Sequence, residues 1–300
     1  MKEKKEIKNI AASVKEKLRN ISTQSGREFQ SVVSQYVQER FLYRLSESIY
    51  SNNLILKGAL LFIAHDISRN RPTRDIDFLG SKIPNEIDDL VEVIKEIIMI
   101  KTEDGLRFDS DTVEAENIIE DGDYKGVRIK FYAFLENSRE RMQLDIGFGD
   151  TITAGPVEIE FPTLLDFPAP KLKVYSIETA IAEKFEAIVS LQLQTSRMKD
   201  FYDILFFAEH YKFNQEILFK ALNTTFENRS TNLALSKNIF EDKFKSDQNF
   251  QKLWSAFLDR NKLENDKTFS EIVSQIQSFI QPVFDPAKKN NWNPEKWKWE

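Results

Sequence analysis

Apolar residues change their spacing along the chain, and the changes divide the sequence into three parts. In the first part, residues 1–50, they recur every three or four positions, which predicts a helix with one apolar stripe. The stripe consists of Val32, Val33, Tyr36, Val37, Phe41, Leu42 and Leu45. The lysine-rich segment before it, roughly residues 1–20, is expected to be a solvated helix or a loose arm.

The second part, residues 51–170, has the alternating pattern of strands with helices between them. Helices are predicted at about 59–67 and after Pro84, which is expected near the first helical position. The predicted strands are at 54–56 and 74–80 and over most of 106–161. A proline-rich stretch, 161–170, then predicts a connecting loop and the main domain boundary.

The third part, residues 171–300, is predicted to be almost wholly helical, beginning after Ser176 as an N-cap. Helices are expected at about 177–192, 197–211, 214–223, 250–260 and 268–281. The tail from Pro282 to Glu300 contains three tryptophans and shows little periodicity. The sequence therefore predicts an N-terminal helical segment (1–50), a mixed α/β core (51–170) and a C-terminal helical domain (171–300).

Composition narrows the chemistry that this chain can perform. The absence of cysteine excludes disulfides, zinc ribbons, iron–sulfur clusters and thiol nucleophiles, and only two histidines are present, His65 and His210. The net charge of −6 argues against a globally basic nucleic-acid binder, although a local basic groove stays open. No apolar run is long enough to span a membrane, and the charged N-terminus does not read as a signal peptide, so a cytoplasmic protein is expected.

The most informative local motif is Asp75-Ile76-Asp77. Side chains two positions apart on a strand point to the same face, so both carboxylates are expected to project together while Ile76 faces the core. Oxygen ligands without histidine favour Mg²⁺ or Mn²⁺. The alternative is a pair of solvated acids on an exposed sheet face.

Cationic and small residues surround this motif in the sequence. A small residue at a strand-to-helix junction lets backbone amides approach a phosphate, and arginine side chains suit phosphate oxygens. The candidate nucleotide-binding residues are Lys57, Gly58, Ala59, Arg69, Arg71 and Arg74. A solvated loop is the alternative for each arginine taken singly.

A third acid, Asp145, lies on a later predicted strand. Its neighbours Leu144 and Ile146 are expected to point inward, so Asp145 shares a face with Gln143. If this strand lies beside the strand of Asp75, three acids meet at one spot. An ordinary solvent-facing aspartate is the alternative.

Lys184 is the second unusual residue, because it falls within the apolar stripe of the helix predicted at 177–192. A lysine there must either extend its ammonium group to solvent or find an anion. Asp200, at the start of the next predicted helix, is the candidate partner. Helix capping is the other explanation for Asp200.

Taken together, these motifs resemble the AbiEii/AbiGii-type nucleotidyltransferase toxins of type IV toxin–antitoxin systems, which include the MenT toxins. The resemblance runs from about residue 30 to 210 and more weakly beyond. Two positions depart from the usual pattern of the family. This chain has Gly58-Ala59 where the family usually has Gly-Gly or Gly-Ser, and it has Gln143 where the family often has lysine. The matching stretches are 56–60 (LKGAL), 71–78 (RPTRDIDF), 143–146 (QLDI), 176–186 (SIETAIAEKFE) and 197–203 (RMKDFYD).

The resemblance implies an α+β fold: a polymerase-β-like nucleotidyltransferase core with a mixed sheet, an N-terminal helix and a C-terminal helical bundle. It also implies that Asp75 and Asp77 hold the catalytic Mg²⁺ or Mn²⁺, with Asp145 as a further metal ligand or as the base. Lys184 then neutralises the triphosphate, and Asp200 orients Lys184.

The implied reaction is transfer of a nucleoside monophosphate from a nucleoside triphosphate to an RNA acceptor, with the 3′ end of tRNA as the expected one. A toxin of this kind is expected to have an antitoxin partner. Two alternatives stay open: a nucleotidyltransferase that modifies a protein or small molecule, and a non-catalytic nucleotide- or RNA-binding protein of the same fold.

Overall fold

The chain forms two compact units in a computed structural model that describes residues 9–64, 73, 75–120, 124–285 and 290–300. The first unit comprises Met1–Gly149 and Val157–Val174, and the second comprises Asp150–Pro156 and Tyr175–Glu300. The proline-rich stretch 161–170 lies within the first unit, where it joins two strands of one sheet, and the second unit takes over at Tyr175.

A seven-stranded mixed sheet organises the first unit, in the order β3-β4-β5-β2-β1-β7-β6. The pairs β2–β5 and β1–β7 are parallel and the other neighbours are antiparallel. The mixed sheet expected for the core is therefore confirmed. Its strands are β1 (Leu54–Lys57), β2 (Asp75–Gly80), β3 (Leu106–Glu120), β4 (Tyr124–Leu135), β5 (Ser138–Phe148), β6 (Val157–Glu160) and β7 (Lys171–Val174).

Buried and less buried side chains alternate along β2 and β5, so the apolar core and the candidate acids lie on opposite faces of these strands. Ile76 and Phe78 of β2 are fully buried, as are Leu144 and Ile146 of β5. Because side chains alternate between the faces of a strand, the acids between them all point to the opposite face. The expected inward positions are therefore confirmed, and they fix which face carries the candidate site.

Helices of the first unit pack on this sheet. They are α1 (Ile10–Ser25), α2 (Phe29–Ser46), α3 (Leu61–Ala64) and α4 (Ile87–Ile98). Helix α1 is not a loose arm, because it buries Val14 and Leu18 and contacts α2 and β4. Helix α4 begins three residues after Pro84, with Glu86 as its N-cap residue, so the expectation of proline near the first helical position was wrong.

Helix α2 buries charges as well as its predicted apolar stripe. The guanidinium groups of Arg40 and Arg44 both donate hydrogen bonds to the carboxylate of Asp104, at 3.1 and 2.6 Å. Burial raises the pKa of the neighbouring Glu39 to about 7. A hydrogen bond from the Leu164 amide lowers this pKa, but the effect of burial is larger. Removing one member of such a buried group leaves an uncompensated charge, so the cluster fixes how α2 packs.

The second unit is largely helical, as expected. Ser176 caps its first helix, since its hydroxyl accepts a hydrogen bond from the Thr179 amide. The helices are α5 (Ile177–Leu191), α6 (Met198–His210), α7 (Gln215–Asn228), α8 (Ser236–Ile239), α9 (Asp242–Lys245), α10 (Gln248–Asn261) and α11 (Phe269–Ile280). No helix in these described segments or in those of the first unit is long and apolar enough to cross a membrane.

The tryptophan-rich tail forms a small sheet that the sequence did not predict. Strands β9 (Asn291–Asn293) and β10 (Lys298–Trp299) pair with each other, and β9 pairs with β8 (Phe213–Asn214). Trp292 is buried against the ring of Phe279, and its indole nitrogen donates a hydrogen bond to the Ala208 carbonyl. The tail is therefore part of the packed core of the second unit.

Candidate active site

The first part of the candidate site is the turn that follows β1. Lys57, the last residue of β1, is buried and pairs in register with Asp77 of β2. Gly58 then takes a left-handed conformation, with φ at +69°, and a Cβ added to it would lie 1.9 Å from Oδ2 of Asp77. A residue without a side chain is therefore required there for the Asp77 carboxylate to occupy its position.

The three candidate acids lie on neighbouring parallel strands. In the register of β2 with β5, Asp75 pairs with Gln143 and Asp77 pairs with Asp145. Directly paired residues share a face of the sheet, so Asp75, Asp77 and Asp145 all project to the same side. The condition set by the sequence, that the two strands lie side by side, is met.

A row of five charged residues crosses the sheet at this level, one on each of five adjacent strands. In spatial order the charged row consists of Lys57, Asp77, Asp145, Arg128 and Glu116. A positive residue therefore flanks the pair of aspartates on each side, and Glu116 lies beyond Arg128. Because directly paired side chains are close neighbours, every acid of the row has a charged residue beside it on an adjacent strand.

Arg128 of β4 is a candidate-site residue that the sequence motifs did not indicate. Its Nε and Nη2 atoms donate hydrogen bonds to the two carboxylate oxygens of Asp145, at 2.8 and 2.7 Å. These hydrogen bonds raise the pKa of Arg128 further above its usual value. The signal was present in the alternation of β4, where Arg128 lies between the inward-facing Val127 and Ile129, but strand pairing was needed to place it opposite Asp145.

This ion pair changes the expected convergence of the acids. The Asp145 carboxylate is held by β4, on the side of β5 that faces away from β2. Among the described residues, no three histidine, aspartate or glutamate side chains come together as a ready metal site. The three acids therefore share a face of adjacent strands but do not form such a group of three, and the third of them is engaged by Arg128.

The residues nevertheless fit a divalent cation of the hard, oxygen-binding class. Asp75 and Asp77 present two carboxylates on one face of a single strand, and the missing side chain of Gly58 leaves room for one of them. Carboxylate oxygens are the ligands that Mg²⁺ and Mn²⁺ prefer.

Lys184 of α5 lies in a polar cluster within the second unit. Its ammonium group donates hydrogen bonds to Asp200 at 3.1 Å and to Asp203 at 2.8 Å. The carboxylates are 1% and 2% exposed, and Arg197 also donates to Asp200. The predicted ion pair with Asp200 is therefore present, and Asp203 is a second partner that the sequence analysis did not name.

The electrostatics of this site follow from its burial. Burial alone lowers the pKa of Lys184, and the adjacent carboxylates of Asp203 and Asp200 reverse that effect, so its pKa is raised. Burial likewise raises the pKa of Asp200, but Lys184 and Arg197 outweigh it, so this pKa is lowered. Lys184 and Asp200 are thus both held in their charged forms at neutral pH.

Three of the cationic candidates cannot be placed. Arg69, Arg71 and Arg74 lie outside the described residues. Ala59, the remaining candidate, lies in the short 3₁₀ helix Gly58–Leu60 that follows β1. The nucleotide-binding role of these residues therefore stays a prediction.

The mixed sheet carries an Asp-x-Asp strand beside a parallel strand with a third acid, and the match to a family model makes this protein a nucleotidyltransferase. The chain belongs to the family described as "Nucleotidyl transferase AbiEii toxin, Type IV TA system", which matches residues 40–287.

Comparison with solved structures agrees on the fold. The chain is similar to JHP933 from Helicobacter pylori, with 17% identity, a TM-score of 0.50, and coverage of 86% of this chain and 93% of that one. It is also similar to a Helicobacter pylori protein provisionally described as a nucleotidyltransferase, with 18% identity, a TM-score of 0.49, and coverage of 90% and 99%. No curated protein matches the chain.

Proposed function

We propose that this nucleotidyltransferase uses Mg²⁺ or Mn²⁺ to transfer a nucleoside monophosphate from a nucleoside triphosphate to RNA, with the 3′ end of tRNA as the acceptor. The observation that carries the proposal is the placement of Asp75 and Asp77 on one face of β2, with Asp145 directly across on β5. The membership of the chain in a toxin family supports a toxic role in the cytoplasm, opposed by an antitoxin partner.

Each candidate residue has a distinct part in this reaction. Asp75 and Asp77 hold the cation, which when bound supplies charge stabilisation for the phosphates and for the attacking oxygen. The acceptor hydroxyl oxygen forms a bond to the α-phosphorus, the bond from that phosphorus to the bridging oxygen breaks, and pyrophosphate leaves. Asp145 takes the proton of the attacking hydroxyl or contributes an oxygen ligand.

The cationic candidates are proposed to bind the nucleotide. Lys57 flanks Asp77 in the charged row, and the small residues Gly58 and Ala59 follow it. Arg71 and Arg74 are proposed to contact phosphate oxygens, for which the planar guanidinium is well shaped. Lys184 is proposed to neutralise triphosphate charge, with Asp200 as the residue that orients its ammonium group.

The direct test is a labelling experiment with the purified full chain, total RNA and Mg²⁺. Each of the four ribonucleoside triphosphates is supplied in turn with its label on the α-phosphate. We expect one or more of them to label an RNA band of tRNA size. The same nucleotide labelled on the γ-phosphate should give no signal, because pyrophosphate is the leaving group.

Variants connect that label to the candidate site. Asp75→Asn and Asp77→Asn should each abolish labelling, whereas Glu158→Gln, an exposed acid on β6 of the same sheet, should not change it. Label on a protein or a small molecule instead of RNA would overturn the proposed acceptor. Absence of transfer to any acceptor would favour a non-catalytic binding protein.

A further inference from the structure

The ion pair between Arg128 and Asp145 occupies a carboxylate that the candidate site would need for binding a cation. Both oxygens of Asp145 accept hydrogen bonds from one guanidinium group, and Gln143 donates to the same oxygens at 3.3 Å. The carboxylate is 9% exposed, so water has little access to it. While this arrangement lasts, Asp145 is not available as a metal ligand or as a base.

The position of Arg128 also makes it an electrostatic competitor of a cation. In the charged row it lies beside Asp145, and Asp145 lies beside Asp77, all on one face of the sheet. Two neighbouring carboxylates repel each other unless a positive charge compensates them. Arg128 supplies that charge to Asp145 in the present arrangement, and a divalent cation held by the aspartates would supply it in its place.

Arg128 also has the properties of a group that can change partners. Its side chain is 32% exposed, in contrast to the buried carboxylate that it holds. A guanidinium group matches phosphate oxygens with the same two-pronged geometry that it uses for a carboxylate. A phosphate that arrives from solvent can therefore take over the hydrogen bonds that Arg128 now makes to Asp145.

We infer that Arg128 is a positioning residue that withholds Asp145 from a divalent cation until the phosphates of a nucleoside triphosphate take over its guanidinium group. Cation and nucleotide then bind cooperatively, because each favours the state in which the Arg128–Asp145 pair is broken. This inference rests on the proposed function, and it assigns a specific order to the assembly of that site.

The first measurement uses Mn²⁺ alone, without nucleotide, and follows free Mn²⁺ by electron paramagnetic resonance in solutions of the full chain. Arg128→Met should bind Mn²⁺ about tenfold more tightly than the wild type, within the usual range of coupling between sites. Lys130→Met is the matched control, because Lys130 lies on the same strand and face and pairs with Glu116 instead. The Mn²⁺ affinity of Lys130→Met should change by about threefold or less, because Lys130 pairs with Glu116 and not with Asp145.

A second measurement tests the phosphate step, with inorganic tripolyphosphate as the probe and with metal removed by a chelator. Arg128→Met should bind tripolyphosphate about tenfold more weakly than the wild type, as expected for a lost charge-assisted contact. Lys130→Met should lose less. Unchanged tripolyphosphate binding in Arg128→Met would overturn the inference, because the guanidinium would then have no part in holding phosphate.

Two further variants make the metal result decisive. Arg128→Met/Asp145→Asn should lose the gain in Mn²⁺ affinity, since the released carboxylate is what produces it. Arg128→Lys keeps the charge but not the two-pronged geometry, and its Mn²⁺ affinity should lie between those of the wild type and Arg128→Met. It also serves as the test protein if Arg128→Met does not fold, and wild-type affinity in Arg128→Lys would then overturn the inference.

The outcomes separate this inference from the proposed function. A protein that transfers nucleotides and needs Asp77 for Mn²⁺ binding, yet binds Mn²⁺ equally with or without Arg128, would overturn the inference alone. A protein whose Mn²⁺ affinity rises in Arg128→Met, but which transfers no nucleotide, would support the inference about the metal site and overturn the proposed reaction.

Discussion

Gly58 and Asp77 are packed so closely that a single methyl group on the glycine would overlap the carboxylate. The added Cβ would lie 1.9 Å from Oδ2 of Asp77 and 2.6 Å from its Cγ. Gly58 also has a φ of +69°, a conformation that residues with side chains rarely adopt. The position of one candidate metal ligand thus depends on the absence of a side chain in the turn that follows the neighbouring strand.

We therefore expect Gly58→Ala to displace Asp77 and to abolish transfer. The matched control is Gly26→Ala, because Gly26 has the same φ of +69° but nothing within 4 Å of the added Cβ. Each variant should lose about 1 kcal/mol of unfolding free energy through backbone strain, and Gly58→Ala should lose more through the overlap. Urea unfolding and the labelling assay measure both effects, and an active Gly58→Ala enzyme would show that Asp77 tolerates displacement.

Asp75→Asn and Asp77→Asn are expected to abolish transfer while leaving the midpoint of thermal unfolding unchanged or raised. Both acids lie on the polar face of β2, next to further charges of the row, and neither contributes to the apolar core. Replacing one carboxylate with an amide of equal size removes like-charge repulsion. A marked fall in the melting temperature, recorded by circular dichroism, would indicate that these acids serve the fold.

Lys184→Met is expected to destabilise the second unit, because it leaves the carboxylates of Asp200 and Asp203 buried without their shared cation. The loss should be about 3–5 kcal/mol, the usual result of removing one partner from a buried ion pair. Arg197 still compensates the charge of Asp200 in this variant. The loss of stability therefore comes mainly from the buried carboxylate of Asp203, which loses the hydrogen bond from Lys184.

Lys184→Met/Asp203→Asn separates the structural role of Lys184 from its proposed role in binding the nucleotide. The double variant should recover most of the lost stability in urea unfolding but remain inactive in the labelling assay. If it recovers activity together with stability, Lys184 serves only to neutralise the buried acids of α6.

Glu39 gives the chain a pH-dependent stability that is separate from the candidate site. Burial raises its pKa to about 7 from an ordinary value of 4.5. A carboxyl group with a raised pKa on folding adds stability below pH 4.5, and this contribution is lost as the pH rises through about 7. Above that pH the folded state holds a buried carboxylate that is only partly compensated.

Glu39→Gln should therefore be more stable than the wild type at pH 8, by an amount on the order of 3 kcal/mol, and similar to it at pH 4.5. The amide keeps an acceptor for the hydrogen bond from the Leu164 backbone. Urea unfolding at the two pH values measures the difference, with the exposed Glu158→Gln as the control. Equal effects of Glu39→Gln at both pH values would contradict the raised pKa.

The strand pattern was sufficient to place the acids of β2 and of β5 each on the polar face of its own strand. Alternation put Ile76 and Leu144 in the core and Asp75, Asp77 and Asp145 opposite them, because strand periodicity is a local property of the backbone. Helical periodicity similarly predicted α2, α5 and the place of Lys184 within an apolar stripe. These features depend on residues that are close together in the chain.

The partners of those residues depended on the tertiary structure. Nothing in the local pattern of β4 shows that Arg128 pairs with Asp145, or that Asp203 joins Asp200 around Lys184. The tail around Trp292 likewise forms a strand by pairing with β8 and β10, which local spacing does not predict. Strand register and helix packing join residues far apart in the sequence, so they are decided by the balance of contacts across the whole unit and not by local spacing.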